Sequence, residues 1–295
     1  MDNHDNSELG SDQIPSADDV KDQGEEQSGM APSLDMLVGE HEEEVSENGE
    51  TVRRRGIYLL PNLFTTGTLF AGFYAIVAAM RGDFESSAIA IFAAMIFDGL
   101  DGRIARLTHT ASKFGVEYDS LSDMVAFGVA PTLVVFSLAL GDLGKFGWSA
   151  SFIYLACAAL RLARFNTQVD TADKQFFTGL ASPAAASIVA SVVWVCSDLG
   201  WTGKDMPAEM GVVLALLTGV AGLLMIANFT FYSFKEVDFG GRVPFVVIIL
   251  VVLVFSLVTM DPPRVLLVAS LSYALSGPAV GFFKWRKRRS QGISD

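Results

Sequence analysis

The pattern of apolar and polar positions divides the chain at about residue 52. Before that point there is no aromatic residue and Asp, Glu, Ser and Gly predominate; after it, long apolar segments recur to the end. Each segment is close to the roughly 20 residues that an α-helix needs to cross a bilayer. The pattern predicts an all-α, polytopic membrane protein with about eight transmembrane helices, at residues 57–80, 86–106, 117–140, 148–166, 178–197, 210–232, 243–260 and 264–283.

Charge follows the same division. Residues 1–50 hold 16 of the 33 acidic residues and one of the 21 basic residues, so the net charge of −12 mainly describes this segment. Its composition does not bury enough apolar surface to offset the loss of chain entropy on folding. We predict a disordered acidic tail at residues 1–52, a membrane domain at 53–289 and a C-terminal tail at 290–295. A short docking element within the acidic tail is the alternative interpretation.

The basic residues predict the orientation of the helices. With a cytoplasmic N-terminus, 16 of the 20 basic residues beyond residue 50 fall on the inner side and four in the outer turns: Arg81, Lys145, Lys204 and Arg264. Inner loops of membrane proteins are enriched in this way. We therefore expect an integral protein of the cytoplasmic membrane with both termini cytoplasmic.

The two cysteines, Cys157 and Cys196, lie in apolar segments and predict neither a disulfide framework nor a metal site.

The most distinctive polar positions lie in the second and third predicted helices. On each helix they recur at intervals of three or four residues and so share one face. They are Asp98, Asp101, Gly102, Ala105 and Arg106 on the second helix, and Gly115, Asp119 and Asp123 on the third. Because a short loop joins two antiparallel helices here, the two faces are able to meet. We expect four carboxylates in one pocket at the cytoplasmic boundary.

Such a cluster points to bound cations. Ionisable residues at membrane depth are costly and usually functional, and close carboxylates favour hard cations such as Mg²⁺ or Mn²⁺. Gly102, Ala105 and Gly115 leave the helix surface open to a ligand, and Arg106 offers a fork suited to phosphate. Together these features favour phosphoryl chemistry. The alternatives are an internal ion pair or acids that couple ions to transport, although no internal repeat is evident.

The spacing D-G-x2-A-R-x8-G-x3-D-x3-D, with Asp98 three residues before its first Asp, resembles the motif of the CDP-alcohol phosphatidyltransferases at every position. The resemblance spans about residues 56–242. Further segments are similar to those of family members that use L-serine: Leu60–Thr65, Asp119–Asp123, Ala126–Pro131, Leu160–Asn166, Phe177–Leu180 and Ser182–Pro183. Members that use glycerol 3-phosphate tend to have Pro and Lys where this chain has Ser120 and Met124. One departure is Ala181, where related synthases often carry proline.

This resemblance implies an enzyme that transfers the phosphatidyl group from CDP-diacylglycerol to the hydroxyl of L-serine, giving phosphatidylserine and CMP. It implies the metal ligands Asp98, Asp101, Asp119 and Asp123, with Asp123 also the general base. It further implies that Gly102, Ala105, Arg106 and Gly115 bind CDP-diacylglycerol, and that the protein is a homodimer. The expected surroundings are the lipid bilayer, with the active site at the cytoplasmic face, and no nucleic acid is expected as a partner.

The acceptor site is less sharply defined by the sequence. Arg161 and Arg164 lie three residues apart on the fourth predicted helix and are candidates to bind serine or a phosphate, with Asn166 and Thr178 as further candidates. The alternative is that these arginines anchor the helix at the lipid headgroups. Two other functions are weighed against serine transfer: the same chemistry with glycerol 3-phosphate or inositol, and a metal-coupled transporter.

Overall fold

The protein is built of long helices joined by short connections. The computed structural model describes residues 44–47, 50–53, 59–107, 113–168, 176–232 and 245–290. Within these residues the α-helices are α1 Leu59–Met80, α2 Phe84–Leu107, α3 Lys113–Asp123, α4 Ala130–Leu138, α5 Lys145–Gln168, α6 Ser182–Asp198, α7 Ala208–Ile226, α8 Phe245–Met260 and α9 Pro262–Ser290. A π-helical turn, Met124–Val129, joins α3 to α4, and 3₁₀ turns occur at Leu140–Leu143 and Gly203–Asp205.

A helical segment occurs at each of the eight predicted positions, with α3, the π-helical turn and α4 forming one of them. Among the described residues, five segments are long and apolar enough to cross a membrane: Pro61–Met80, Phe114–Leu138, Lys145–Thr167, Ala208–Ile226 and Pro262–Gly281. The helix α2 carries too many charged residues in its second half. The helices α6 and α8 have 17 and 16 residues, or about 24–26 Å, against a hydrocarbon core of about 30 Å. Eight spans therefore stay a prediction.

Two short antiparallel strand pairs were not predicted. Strand β1, Glu44–Glu47, pairs with β2, Glu50–Arg53, at the end of the segment predicted to be a disordered tail. The rest of that tail lies outside the described residues. Strand β3, Phe176–Thr178, pairs with β4, Thr230–Tyr232. Because β3 precedes α6 and β4 follows α7, this second pair joins two connections on the same side of the helices.

The helix α2 begins with a side-chain cap. The Asp83 carboxylate accepts a hydrogen bond from the Ser86 backbone N–H at 3.0 Å, which satisfies one of the free donors of the first turn. Hydrogen bonds from the side chain and backbone of Ser86 lower the pKa of the Asp83 carboxyl. This connection between α1 and α2 lies at the opposite end of α2 from the predicted cluster of acids.

An ionic contact ties α9 to α6 at that same opposite end. The Arg264 guanidinium donates to Asp198 at 2.8 Å and to Asp261 at 2.6 Å. Hydrogen bonds from the side chain and backbone of Arg264 lower the pKa of the Asp261 carboxyl. The contact fixes the start of α9 against the end of α6, and the two helices pack along one another from there.

The core depends on small residues that let helix backbones approach one another, as is common between membrane helices. A Cβ added to Gly72 on α1 would lie 2.7 Å from the Cα of Ala126 in the π-helical turn. A Cβ added to Gly222 on α7 would lie 2.7 Å from the Cα of Tyr154 on α5. In both places the neighbour is backbone and has no flexible end to move.

This packing predicts a difference between two glycines on α7. We expect Gly222→Ala to destabilise the protein by about 1–3 kcal/mol, because the added methyl group overpacks the contact with α5. Gly219→Ala is the matched control, since a Cβ there meets no atom within 4 Å and alanine favours the helix. Thermal unfolding of the two variants in the same detergent checks the difference. Equal unfolding temperatures would show that α5 and α7 do not pack this closely.

Candidate active site

Three of the four predicted metal-binding acids lie together. Carboxylate oxygens of Asp98, on α2, and of Asp119 and Asp123, on α3, are all within 4.8 Å of one another. Asp119 and Asp123 are one turn apart, so α3 presents both to the end of α2. The expected meeting of the two helix faces is therefore present in the structure.

Asp101 lies beside this group and has a partner of its own. Its Oδ2 accepts a hydrogen bond from the Thr65 hydroxyl on α1 at 3.0 Å, and both residues are buried. Asp101 also interacts electrostatically with Asp119. The hydrogen bond fixes the orientation of the Asp101 carboxylate and links α1 to the site.

A cavity of about 210 Å³ opens next to the acids, between α1, α2 and α3. It is lined by Pro61, Asn62, Thr65, Asp101, Gly102, Ala105, Arg106, Gly115, Val116 and Asp119. All four residues expected to bind CDP-diacylglycerol are in this lining. A Cβ added to Gly102 would meet no atom of the described residues within 4 Å, so this glycine leaves space in the cavity. The Arg106 Nε donates to the Gly102 carbonyl at 2.8 Å.

Arg161, on α5, interacts with the clustered acids. One of its terminal nitrogens donates to the Ser182 hydroxyl at 2.8 Å, which joins α5 to the start of α6. Its guanidinium also interacts electrostatically with Asp123, Tyr273 and Asp98. Its Nε is buried and has no hydrogen-bond partner among the described residues. Arg161 is thus a half-buried cation whose buried Nε has no hydrogen-bond partner among the described residues.

The other predicted acceptor residues are less directly placed. Arg164 donates to Asn228 at 3.4 Å, at the connection that follows α7. Asn166 exchanges hydrogen bonds of 3.0 and 3.1 Å with Ser120, the residue next to Asp119. The side chain of Thr178 lies outside the described residues, although its backbone belongs to β3.

Two residues at this site were not singled out from the sequence. Thr65 lies in a segment used only for the family resemblance, and nothing in its spacing links it to Asp101, 36 residues later. Tyr273 is on α9, outside the residues covered by the resemblance.

The chemistry of the cluster fits a divalent cation. Asp119 Oδ1 and Asp123 Oδ1 are buried and have no hydrogen-bond partner among the described residues. Buried carboxylate oxygens without partners are costly, and a hard cation with oxygen ligands relieves that cost. The residues present therefore suit Mg²⁺ or Mn²⁺.

Comparison with known proteins identifies the class. The model of the CDP-alcohol phosphatidyltransferase family matches residues 58–220. The chain is 38% identical over 200 residues to the CDP-diacylglycerol–serine O-phosphatidyltransferase of Helicobacter pylori strain J99, covering 68% of this chain and 82% of that one. It is 29% identical over 177 residues to the enzyme of the same name from Bacillus subtilis, covering 60% of this chain and 92% of that one. The chain belongs to the CDP-alcohol phosphatidyltransferase family.

A solved structure is also similar. It is the Mycobacterium tuberculosis phosphatidylinositol phosphate synthase with CDP-DAG bound, which matches with a TM-score of 0.44 and 18% identity over 58% of this chain and 86% of that chain. The family match ends at residue 220, so α8 and α9 lie beyond it.

Proposed function

We propose that the protein transfers the phosphatidyl group of CDP-diacylglycerol to the hydroxyl of L-serine, releasing CMP and forming phosphatidylserine. The observation that carries this proposal is the three-carboxylate cluster beside a cavity lined by every other residue of the family motif. The relatives named above, which are serine transferases, support serine as the acceptor.

The proposed cofactor is Mg²⁺ or Mn²⁺. Asp98, Asp119 and Asp123 would hold it, with Asp101 adjacent on the cavity wall. When bound, a divalent cation supplies charge neutralisation at the pyrophosphate and at the departing CMP.

Side chains of this protein are proposed to carry out the proton transfer and to bind the substrates. Asp123 is proposed to take the proton of the serine hydroxyl. The serine oxygen then forms a bond to the phosphorus that carries diacylglycerol, while the bond from that phosphorus to the oxygen of CMP breaks. Arg106 is proposed to bind a phosphate of the nucleotide, and Gly102, Ala105 and Gly115 leave room for the rest of it in the cavity.

Arg161 is the strongest candidate to hold the acceptor. Its guanidinium suits the carboxylate of serine and interacts electrostatically with Asp123, the proposed base. Its buried Nε has no hydrogen-bond partner in the part of the chain that the structure describes. Arg164 and Asn166 are proposed to shape the same region. Thr178 stays a candidate from the sequence.

The proposed setting is the cytoplasmic membrane, with both termini and the active site at the cytoplasmic face. The positive-inside pattern supports this orientation. CDP-diacylglycerol would then enter from the inner leaflet with its acyl chains in lipid. The homodimer is proposed from the family resemblance.

The deciding experiment is CMP release by the purified full-length protein from CDP-diacylglycerol, with Mg²⁺ or Mn²⁺. We expect release with L-serine, and little with glycerol 3-phosphate or inositol. Release with one of the other alcohols would keep the chemistry and contradict the assignment of the acceptor. Folded protein that releases no CMP with any acceptor, but moves a solute across vesicles, would favour the transporter.

A further inference from the structure

Tyr154 on α5 is fully buried and its hydroxyl has a specific partner. It is among the largest side chains that are completely enclosed, and it donates a hydrogen bond of 3.0 Å to the backbone carbonyl of Phe127. Phe127 belongs to the π-helical turn that begins directly after Asp123. The tyrosine therefore contacts the backbone of the segment that follows two of the clustered acids.

Pro131 removes the donor that the Phe127 carbonyl would have in a regular α-helix. In an α-helix this carbonyl would accept from the N–H four residues later, but that residue is Pro131, which has no N–H and whose ring clashes with the same carbonyl. The chain widens at this point: the N–H of Ala130 bonds to the carbonyl of Val125, five residues back. The Tyr154 hydroxyl donates to the carbonyl that Pro131 cannot serve.

Close packing on both sides holds this turn in place. Gly72 of α1 lies against the backbone of Ala126, and a Cβ on Gly128 would be 3.5 Å from the Cβ of Ala158 on α5. Ala158 is one turn after Tyr154, and Arg161 is nearly one turn further on the same face. One face of α5 thus packs on the π-helical turn and carries the guanidinium that interacts electrostatically with Asp123 and Asp98.

The turn sets the direction in which α3 presents its carboxylates. A π-helical turn inserts one residue relative to an α-helix, which corresponds to a rotation of about 100° between the helices on either side. With a regular helix at this point, Asp119 and Asp123 would be rotated away from Asp98 relative to the packed helix α4. Single π-helical turns often occur at functional sites.

We propose that Tyr154 is a positioning residue: by bonding the Phe127 carbonyl, it maintains the π-helical turn that directs Asp119 and Asp123 toward Asp98. This inference rests on the proposed role of those acids in holding a divalent cation. Tyr154 acts through the backbone and touches neither the cation nor the substrates.

The test is Mn²⁺ binding, measured from the electron paramagnetic resonance signal of free Mn²⁺, with the full-length protein in lipid nanodiscs and no substrate. We expect Tyr154→Phe to weaken Mn²⁺ binding by about 10-fold or more, the range seen when groups that orient metal ligands are removed. The matched control is Ser151→Ala on the same helix, which removes a buried hydroxyl whose partner among the described residues is Gly147 of its own helix. We expect it to bind Mn²⁺ as the unmodified protein does.

Pro131→Ala provides a second, independent variant should Tyr154→Phe fail to fold. It supplies an N–H to the Phe127 carbonyl and so favours a regular helix, and we expect it to weaken Mn²⁺ binding as well. In the double variant Tyr154→Phe/Pro131→Ala, the two losses of Mn²⁺ affinity should not add, because both substitutions act on the same π-helical turn.

A folded Tyr154→Phe protein that binds Mn²⁺ as tightly as the Ser151→Ala control would overturn the inference. Unmodified protein that binds Mn²⁺ but releases no CMP would instead overturn the proposed transferase and leave the role of Tyr154 standing. Unmodified protein that binds no Mn²⁺ would overturn the role of the acids, and the inference with it.

Discussion

Asp123→Asn is expected to lower the rate of serine-dependent CMP release by about 10²–10⁴-fold, the range for loss of a general base. The substitution keeps the size of the side chain, so the packing of α3 changes little. It removes the group that would take the proton of the serine hydroxyl, in a carboxylate whose buried Oδ1 has no hydrogen-bond partner among the described residues. The assay is CMP release at saturating substrates and Mn²⁺.

The control for this variant is Asp142→Asn. Asp142 is exposed in the 3₁₀ turn Leu140–Leu143, at the end of α4 away from the acids, and the same chemical change there should leave the rate unchanged. Mn²⁺ binding by both variants separates the two roles assigned to Asp123. Weaker Mn²⁺ binding by Asp123→Asn would identify Asp123 as a metal ligand. Unchanged Mn²⁺ binding with a lower rate of CMP release would identify Asp123 as a general base only. Full activity of Asp123→Asn would rule out both roles.

The sequence predicted the centre of the site because helical spacing alone determines which residues share a face. The positions from Asp98 to Arg106 on α2, and from Gly115 to Asp123 on α3, needed only a short loop to bring the two faces together. The structure has that arrangement, with three acids clustered and the glycines beside an open cavity. The spacing of residues along a helix predicts which of them share a face, without knowledge of how the helices pack.

Contacts between distant segments were not predictable in the same way. The hydrogen bond from Thr65 to Asp101 depends on how α1 packs on α2, and the partnership of Tyr154 with Phe127 depends on the packing of α5. Pro131 has no backbone N–H and therefore interrupts a regular helix. Whether such a proline produces a kink, a break or a π-helical turn is decided by the donors that packing brings to the freed carbonyl.

The hairpin of β1 and β2 has a local sequence signal that the acidic composition of this segment outweighed in the prediction. The acidic composition of the first 52 residues favoured disorder throughout. However, Asn48-Gly49 separates the two strands in the sequence, and Asn-Gly between short β-prone runs is a strong hairpin signal. The pair of β3 and β4 had no such signal, because its strands are more than 50 residues apart.

Arg161→Gln is expected to lower kcat/KM for L-serine on the order of 10²–10³-fold, the usual cost of removing one member of a buried, charge-assisted contact. The effect should appear mainly in the KM for serine, because the guanidinium is proposed to hold the serine carboxylate. Arg161→Lys keeps a positive charge near Asp123 and Asp98 but loses the planar fork, so its loss should be smaller. The KM for each substrate, measured separately, checks both variants.

Two outcomes distinguish binding of serine by Arg161 from a purely structural role. Arg81→Gln, at the exposed connection between α1 and α2, is the control for removing a positive charge from the protein and should leave the KM for serine unchanged. If Arg161→Gln raised the KM for CDP-diacylglycerol and for serine equally, the guanidinium would be acting by offsetting the charge of the carboxylates. A rise in the KM for serine alone, partly restored in Arg161→Lys, would show that the cation faces the serine. The hydrogen bond from Arg161 to Ser182 could not explain that result, because losing it would not affect one substrate and spare the other.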